Sequence, residues 1–210
     1  MKQRIFLLSP AYAGGRRAQM ILSERAQFEL AKKMRNEGAT IAEVFTFLSG
    51  LYFRGKIAYA NAFACTSNGD CGVFVITPTR GLVDVRSTIT LSDLREFAAV
   101  DIDKEDPRYR KPLEKSVRRL VKQLPPECDV VLLGSIATGK YVDVFLKYFR
   151  DRLRFPADFV GRGDMSRGGL MLRCAADRTE LDYVSVAGAA LNGKRPPKLA
   201  PRRYPKGWPS

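Results

Sequence analysis

DVVLLGSIATGKY, Asp129–Tyr141, decides the fold class. Val130–Leu133 is a short, β-branched apolar run, the pattern of a strand buried on both faces. A loop with Gly134, Ser135, Thr138, Gly139 and Lys140 follows, and Tyr141–Arg150 then reads as a helix. Strand, glycine-bearing loop and helix make up the repeating unit of an α/β protein. Ile5–Leu8 has the same design and leads into SPAYAGGRR, Ser9–Arg17. Phe159–Val160 leads into GRGDMSRGG, Gly161–Gly169. Loops at strand ends, with bare amides and basic side chains, hold anions such as phosphate.

Working outward, Ile21, Leu22, Phe28, Ala31 and Met34 share one face and predict a single helix from Ala18 to Asn36, stopped by Gly38. Thr40 with Glu43 forms a capping box for a helix through Leu48. Ser49–Gly50 interrupts it, and LYFRGKIAYANAFA (Leu51–Ala64) resumes the helical pattern. Ser67–Asp70 is a turn, Val73–Thr77 a second strand, and Thr90 with Asp93 caps a short helix through Ala98. DIDKEDPRYRKP (Asp101–Pro112) reads as a polar surface loop ending at the start of a helix that runs from about Arg108 to Gln123. In that helix Leu113, Val117, Leu120 and Val121 face inward, while Lys111, Lys115, Arg118 and Lys122 form one basic stripe, a solvated face or a polyanion contact. Leu170–Cys174 and Leu181–Val186 are expected as strands of a hairpin across DRTE.

The chain has 210 residues, 36 Lys and Arg against 22 Asp and Glu, a net charge of +14 and 45% hydrophobic residues. That size and apolar content fit one domain with a real core. The charge makes a polyanion the first partner to consider. No apolar stretch is long enough to span a bilayer, and the run before Ser9–Pro10 is too short for a signal peptide. A cytoplasmic protein without a membrane partner is expected. Its four cysteines show no CxxC spacing and are expected to be reduced and structural. The absence of histidine excludes Ser-His-Asp and Cys-His catalysis and His-ligated metals, so neither metal nor cofactor is expected. Acid–base chemistry must then use Asp, Glu, Lys, Tyr or Cys.

Gly134–Lys140 matches G-x-x-x-x-G-K in the context a P-loop requires, but Tyr141 stands where Ser or Thr would hold magnesium, and the nearest match to a Walker-B strand, AAVDID (Ala98–Asp103), reads as the end of a helix. A phosphate contact without hydrolysis is the better reading. In AYAGGRR, Arg16 and Arg17 open a helix, where positive charge opposes the dipole unless an anion is near. In GRGDMSRGG, Asp164 lies between Arg162 and Arg167 and is a candidate general base; the RGD triplet within it has no adhesive meaning in a chain without a secretion signal. From Gly193 the composition changes: GKRPPKLAPRRYPKGWPS has five prolines, six basic residues and no acid, and reads as an extended tail whose Tyr204 and Trp208 stack on bases or pack back.

IFLLSPAY (Ile5–Tyr12) resembles the N-terminal strand and Ser-Pro-Ala loop of the bacterial peroxide-stress DNA-binding family. LSGLY (Leu48–Tyr52), VVLLGSIATGKY (Val130–Tyr141) and RGDMSR (Arg162–Arg167) are similar to further segments of that family, in the same order, covering about 30 residues in all. The resemblance implies a mixed α/β fold, DNA binding and a part in limiting oxidative damage. The chain departs from the family at Tyr12, where the family has Lys, and at Phe53, where it has Gly.

The expected architecture is one three-layer α/β domain over 1–190, with a mixed central sheet, and an extended basic Pro-rich tail over 191–210. The three loops should meet at one sheet edge, beyond strand C-termini. There Ser9, Gly14, Gly15, Arg16, Arg17, Gly134, Ser135, Thr138, Gly139, Lys140, Arg162, Ser166 and Arg167 would take phosphate or nucleic acid, and Tyr52 would stack on a base. The partner expected is DNA ahead of RNA, or a nucleotide, with a protein partner open to the tail. The alternative is an enzyme acting on a nucleotide or nucleobase, with Asp164, Asp143 or Tyr12 as its acid–base group, and after it a degenerate P-loop hydrolase.

Overall fold

A computed structural model describes residues 3–66, 72–137, 139–189 and 193–202. The expected turn at Ser67–Asp70, Thr138, Tyr204 and Trp208 lie outside the described residues. The chain runs β1 (Arg4–Leu8), α1 (Arg16–Leu22), α2 (Glu29–Asn36), β2 (Ala39–Thr40), α3 (Ile41–Ser49), α4 (Leu51–Phe63), β3 (Val73–Thr77), β4 (Gly81–Asp84), β5 (Thr88–Ile89) and α5 (Leu91–Ala98). It continues with α6 (Pro107–Gln123), β6 (Asp129–Leu133), α7 (Val142–Phe149), β7 (Leu153–Pro156), α8 (Asp164–Asp177) and β8 (Tyr183–Ser185).

Six strands form one mixed sheet in the order β4-β3-β1-β6-β7-β8. β1 lies parallel to both β3 and β6, and β6 parallel to β7. Antiparallel β4 and β8 close the two edges. Ile5 to Leu8 are at most 1% exposed, as a central parallel strand covered on both faces requires. The crossover from β1 to β3 leads one way along the sheet, while those into β6 and β7 lead the other. Right-handed crossovers therefore put α1–α4 on one face and α6 and α7 on the opposite face. The contacts agree: α4 packs on β1 and α8, α6 on β3 and β4, α7 on β7. Strand order thus reverses between β1 and β6, and the crossovers leaving these two strands lead in opposite directions. No helix among the described residues is long and apolar enough to cross a membrane.

Both expected capping boxes form: Thr40 and Glu43 at α3, Thr90 and Asp93 at α5. At α3 the Glu43 carboxylate also accepts from Lys33 Nζ at 2.7 Å, which ties α2 to the cap. Thr40→Ala should cost about 1 kcal/mol of stability, read from urea unfolding, because it leaves a helix-terminal amide unpaired.

Three expectations need correction. The single helix over 18–36 is two, α1 and α2, broken at Ser23–Phe28. Within the break Arg35 Nη2 donates to the Ala26 carbonyl at 2.6 Å, and Phe28 stacks on Phe47 at 5.2 Å, so tertiary contacts hold the bend. Leu170–Cys174 is not a strand but the middle of α8, and β8 pairs with β7 instead of forming a hairpin across DRTE. The run GRGDMSRGG is only partly a loop, because α8 begins at Asp164. One of its glycines serves a helix crossing with α4: a Cβ on Gly168 would lie 2.8 Å from the Leu51 carbonyl oxygen, and across the same crossing one on Gly55 would lie 2.6 Å from the Gly168 carbonyl oxygen. Close helix approach overrides the loop propensity of glycine.

The described start of the tail is not free of the domain. Arg202 makes a two-pronged ion pair with Asp177 at 2.7 Å, and Arg173 donates to the Ala200 carbonyl, so residues 193–202 lie along α8.

Candidate functional site

The loops after β1 and β6 meet at the switch point, as the sequence suggests, and form one wall of a cleft of about 700 Å³. Ser9, Pro10, Ala11, Tyr12 and Ala13 come from the first loop, Lys140 and Tyr141 from the second. The facing wall is Phe97–Ala98 and Val100–Lys104, with Asp101, Asp103 and Lys104 as its charged groups. By sequence alone this wall is only the beginning of a surface loop.

Beneath Ser9 lies the group that sequence reasoning missed. Lys56, on α4, is 1% exposed, and its ammonium donates to the Ser9 carbonyl at 2.7 Å and to Ser9 Oγ at 2.9 Å. It sits 4.3 Å from the Tyr52 ring centre and 4.8 Å from that of Phe53, a cation–π arrangement. Burial pushes its pKa down to about 7; the Asp164 carboxylate opposes that shift and the Arg167 guanidinium adds to it. Lys56 therefore exchanges a proton near neutral pH, in a chain without histidine. The signal in the sequence was a lone lysine among apolar helix neighbours, Ile57 and Ala58 to one side and Phe53 to the other.

Two tyrosines complete this polar floor. Tyr52 is 8% exposed, and its hydroxyl lies beside Ser9 and Arg167. No partner among the described residues meets that hydroxyl at hydrogen-bonding geometry. Burial raises its pKa, and the same holds for Tyr141, whose hydroxyl also lies beside Ser9. Gly134 is required here: a Cβ at that position would lie 2.8 Å from both Ser9 Cβ and the Tyr141 hydroxyl. Tyr52 thus floors the site beside Lys56 rather than standing free to stack on a base. The free aromatic is Tyr12, 72% exposed, whose ring lies over Gly14 and Gly15.

The α4–α8 crossing at Gly55 and Gly168 brings the third loop in. Asp164 and Arg167, on the first turn of α8, are close enough to set the charge balance at Lys56 and Tyr52. Arg167 is oriented by the Phe159 carbonyl, to which its Nη2 donates at 2.9 Å. Arg162 donates to Ser166 Oγ and to the Asp158 carbonyl, on the outer side of the same turn. Met165 beside them is 66% exposed.

The remaining expected residues divide. Lys140 is exposed at the cleft mouth, preceded by Gly139 at φ +63°. Ser135 Oγ accepts from the Ala137 amide and closes its own loop. Arg16 is exposed at the start of α1. Arg17 is engaged elsewhere, donating to the Phe47 carbonyl at 3.0 Å and so anchoring α1 to α3. Asp143 is paired with Arg110 Nη1 at 2.7 Å, which ties α7 to α6. Among the described residues no group of three His, Cys, Asp or Glu could hold a metal ion.

A desolvated lysine, an arginine and the hydroxyls of Tyr52 and Tyr141 thus gather around Ser9, and of these residues Ser9 and Tyr141 line the cleft; cationic and hydroxyl donors so grouped suit an oxyanion. The cleft above it, with an exposed tyrosine on one side and acceptor carboxylates on the other, has the size and mixed polarity of a nucleotide site. No family model, curated protein or solved structure matches this chain.

Proposed function

We propose that the chain is a cytoplasmic nucleic-acid-binding protein that takes one nucleotide unit, of DNA in preference to RNA, into the cleft between the β1 and β6 loops. The phosphate sits over Ser9, Lys56, Tyr52 and Arg167, the base lies against Tyr12, and Asp101 or Asp103 accepts from base amino or sugar hydroxyl groups. The observation that carries this is the gathering of the buried Lys56 ammonium, the Tyr52 hydroxyl and the Arg167 guanidinium around Ser9, which itself lines the cleft. Buried donors of this kind are costly without an acceptor, and a bound oxyanion supplies one to several of them at once. The net charge of +14 and the resemblance of four segments to the peroxide-stress DNA-binding family support nucleic acid and a role in limiting DNA damage.

Titration calorimetry with deoxynucleoside monophosphates, the matching nucleosides and inorganic phosphate tests it. Monophosphates should bind at least about tenfold more tightly than nucleosides, and Tyr52→Phe should weaken them by about 1–2 kcal/mol while leaving nucleosides unaffected. Equal affinity for nucleoside and monophosphate would refute the phosphate assignment.

One observation favours a catalytic second reading. Lys56, pushed down to about 7, is a competent proton acceptor at neutral pH and is bonded to the Oγ of Ser9, a residue of the cleft wall. An enzyme acting on a nucleotide or nucleobase would use Lys56 in that role, with Asp164 in support, and would leave Asp143 in its ion pair. Turnover lost in Lys56→Met but kept in Asp143→Asn would establish it.

A further inference from the structure

We propose that the exposed face of α6 carries the backbone of a polynucleotide strand whose reading unit occupies the cleft, so that the partner is a nucleic acid and not a free nucleotide. The inference rests on the nucleotide reading of the cleft and names the class of partner.

Lys111, Glu114, Lys115, Arg118, Arg119 and Lys122 line a shallow trough of about 440 Å³ along the helix. The lone acid among them, Glu114, is already shared: it accepts from Arg110 Nε at 3.1 Å and meets Arg118 at 3.5 Å. No ion pair holds Lys111, Lys115, Arg119 or Lys122 among the described residues. Some surface cations elsewhere are matched, as Arg80 is by Glu96, Arg86 by Asp84 and Arg108 by Asp106. On α6 the i,i+4 neighbours Lys111 and Lys115, Lys115 and Arg119, and Arg118 and Lys122 are like charges, each pair opposing the helix. Glu114 offsets this repulsion only at Arg118 and Arg110, and an anionic partner laid along the face relieves the rest.

The position of the stripe ties it to the cleft. Lys104 ends the cleft wall, and α6 starts three residues later at Pro107. The Lys111 Cα is therefore at most about 16 Å from that of Lys104. From there α6 leads back to Pro125–Pro126 and the start of β6, so its stripe runs from the C-terminal edge of the sheet toward the opposite edge. The twelve helical residues from Lys111 to Lys122 extend about 16 Å, roughly the span of five phosphates of one strand. Arg118 is further fixed by Tyr148 on α7, its Nε donating to that hydroxyl at 2.6 Å. A free nucleotide would fill the cleft and leave this face untouched; a strand engages both.

Fluorescence anisotropy with a labelled 20-nucleotide single-stranded DNA and its duplex, across a salt series, decides the matter. The full chain is compared with Lys111→Gln/Lys115→Gln/Arg119→Gln/Lys122→Gln, all exposed positions, and with Arg25→Gln/Lys32→Gln as a control on the α1–α2 region. The stripe variant should bind DNA at least about tenfold more weakly at 0.1 M salt, with a salt slope shallower by about 0.7–0.9 for each phosphate no longer neutralised. Its affinity for a deoxynucleoside monophosphate should match the wild type, and the control should keep DNA binding within about twofold. An unchanged slope, an equal loss per charge in the control, or displacement of DNA by polyglutamate as readily as by unlabelled DNA overturns the proposal. A stripe effect in a wild type that binds no mononucleotide would uphold the track and defeat the cleft reading instead.

Discussion

Gly168→Ala will destabilise the protein and empty the site, whereas Gly169→Ala, one residue on, will stabilise it. Both glycines lie within α8, where alanine is intrinsically favoured by about 1 kcal/mol. Their surroundings differ. A Cβ at 168 meets the Leu51 carbonyl oxygen at 2.8 Å and Tyr52 Cα at 2.9 Å, atoms of a neighbouring helix backbone that cannot rotate away. A Cβ at 169 meets only Leu199 Cδ1 at 3.6 Å, an ordinary contact. Overpacking against backbone costs about 1–3 kcal/mol and exceeds the propensity gain. The displaced element carries Asp164 and Arg167, while Leu51 and Tyr52 belong to the helix that presents Lys56. Separation of α4 from α8 therefore opens the floor of the cleft. Urea midpoints should fall for Gly168→Ala and rise for Gly169→Ala, and nucleotide affinity should fall at least about tenfold in the first alone. Matching shifts of the two midpoints would show that the crossing is not the constraint.

The same crossing explains what the sequence discloses and what it conceals. β1 and β6 were legible because a central parallel strand is apolar at every position, and Ile5–Leu8 and Val130–Leu133 are. Both capping boxes and the meeting of the first two loops at a sheet edge were legible from side-chain chemistry at fixed spacing. Gly168 and Leu170–Cys174 misled because the reason for a glycine at 168 lies on α4, more than a hundred residues earlier. Phe28 and Arg35 bend the α1–α2 region through contacts with Phe47 and with the Ala26 carbonyl, which no period of 3.6 encodes. Arg17 and Asp143 were plausible ligands by composition, yet each is held by a partner on another element. Lys56 was invisible for the converse reason. In sequence its only mark is its apolar neighbours, and only the position of α4 beneath the end of β1 makes it the buried centre of the site.

The largest effect is expected at that lysine. Lys56→Met will make the protein more stable below neutral pH and abolish its affinity for phosphate-bearing ligands. In the unfolded chain the amine titrates near 10.5, in the folded one near 7. Below pH 7 both states carry the charge, and the folded state bears the whole penalty of burying it. Between pH 7 and 10.5 the folded lysine is neutral while the unfolded one still holds a proton, so wild-type stability climbs by up to about 1.4 kcal/mol per pH unit. Methionine fills a similar volume and never charges, so its curve lacks that climb. The two curves should cross, methionine ahead at pH 6 and lysine ahead at pH 10, where its hydrogen bonds to Ser9 come without the burial penalty. The difference between the two proteins cancels the titration of tyrosines and cysteines shared by both. Ligand binding has the opposite pH dependence. An oxyanion over Ser9 favours the charged amine, so wild-type affinity should be steady below pH 7 and fall toward tenfold per unit above it, with proton uptake visible as a buffer-dependent heat. Urea midpoints for both proteins from pH 6 to 10, with calorimetry in two buffers, measure the two effects separately. Parallel stability curves would place the lysine charge in contact with water. A pH-independent affinity would move the phosphate away from Lys56 and onto Arg167 and Lys140.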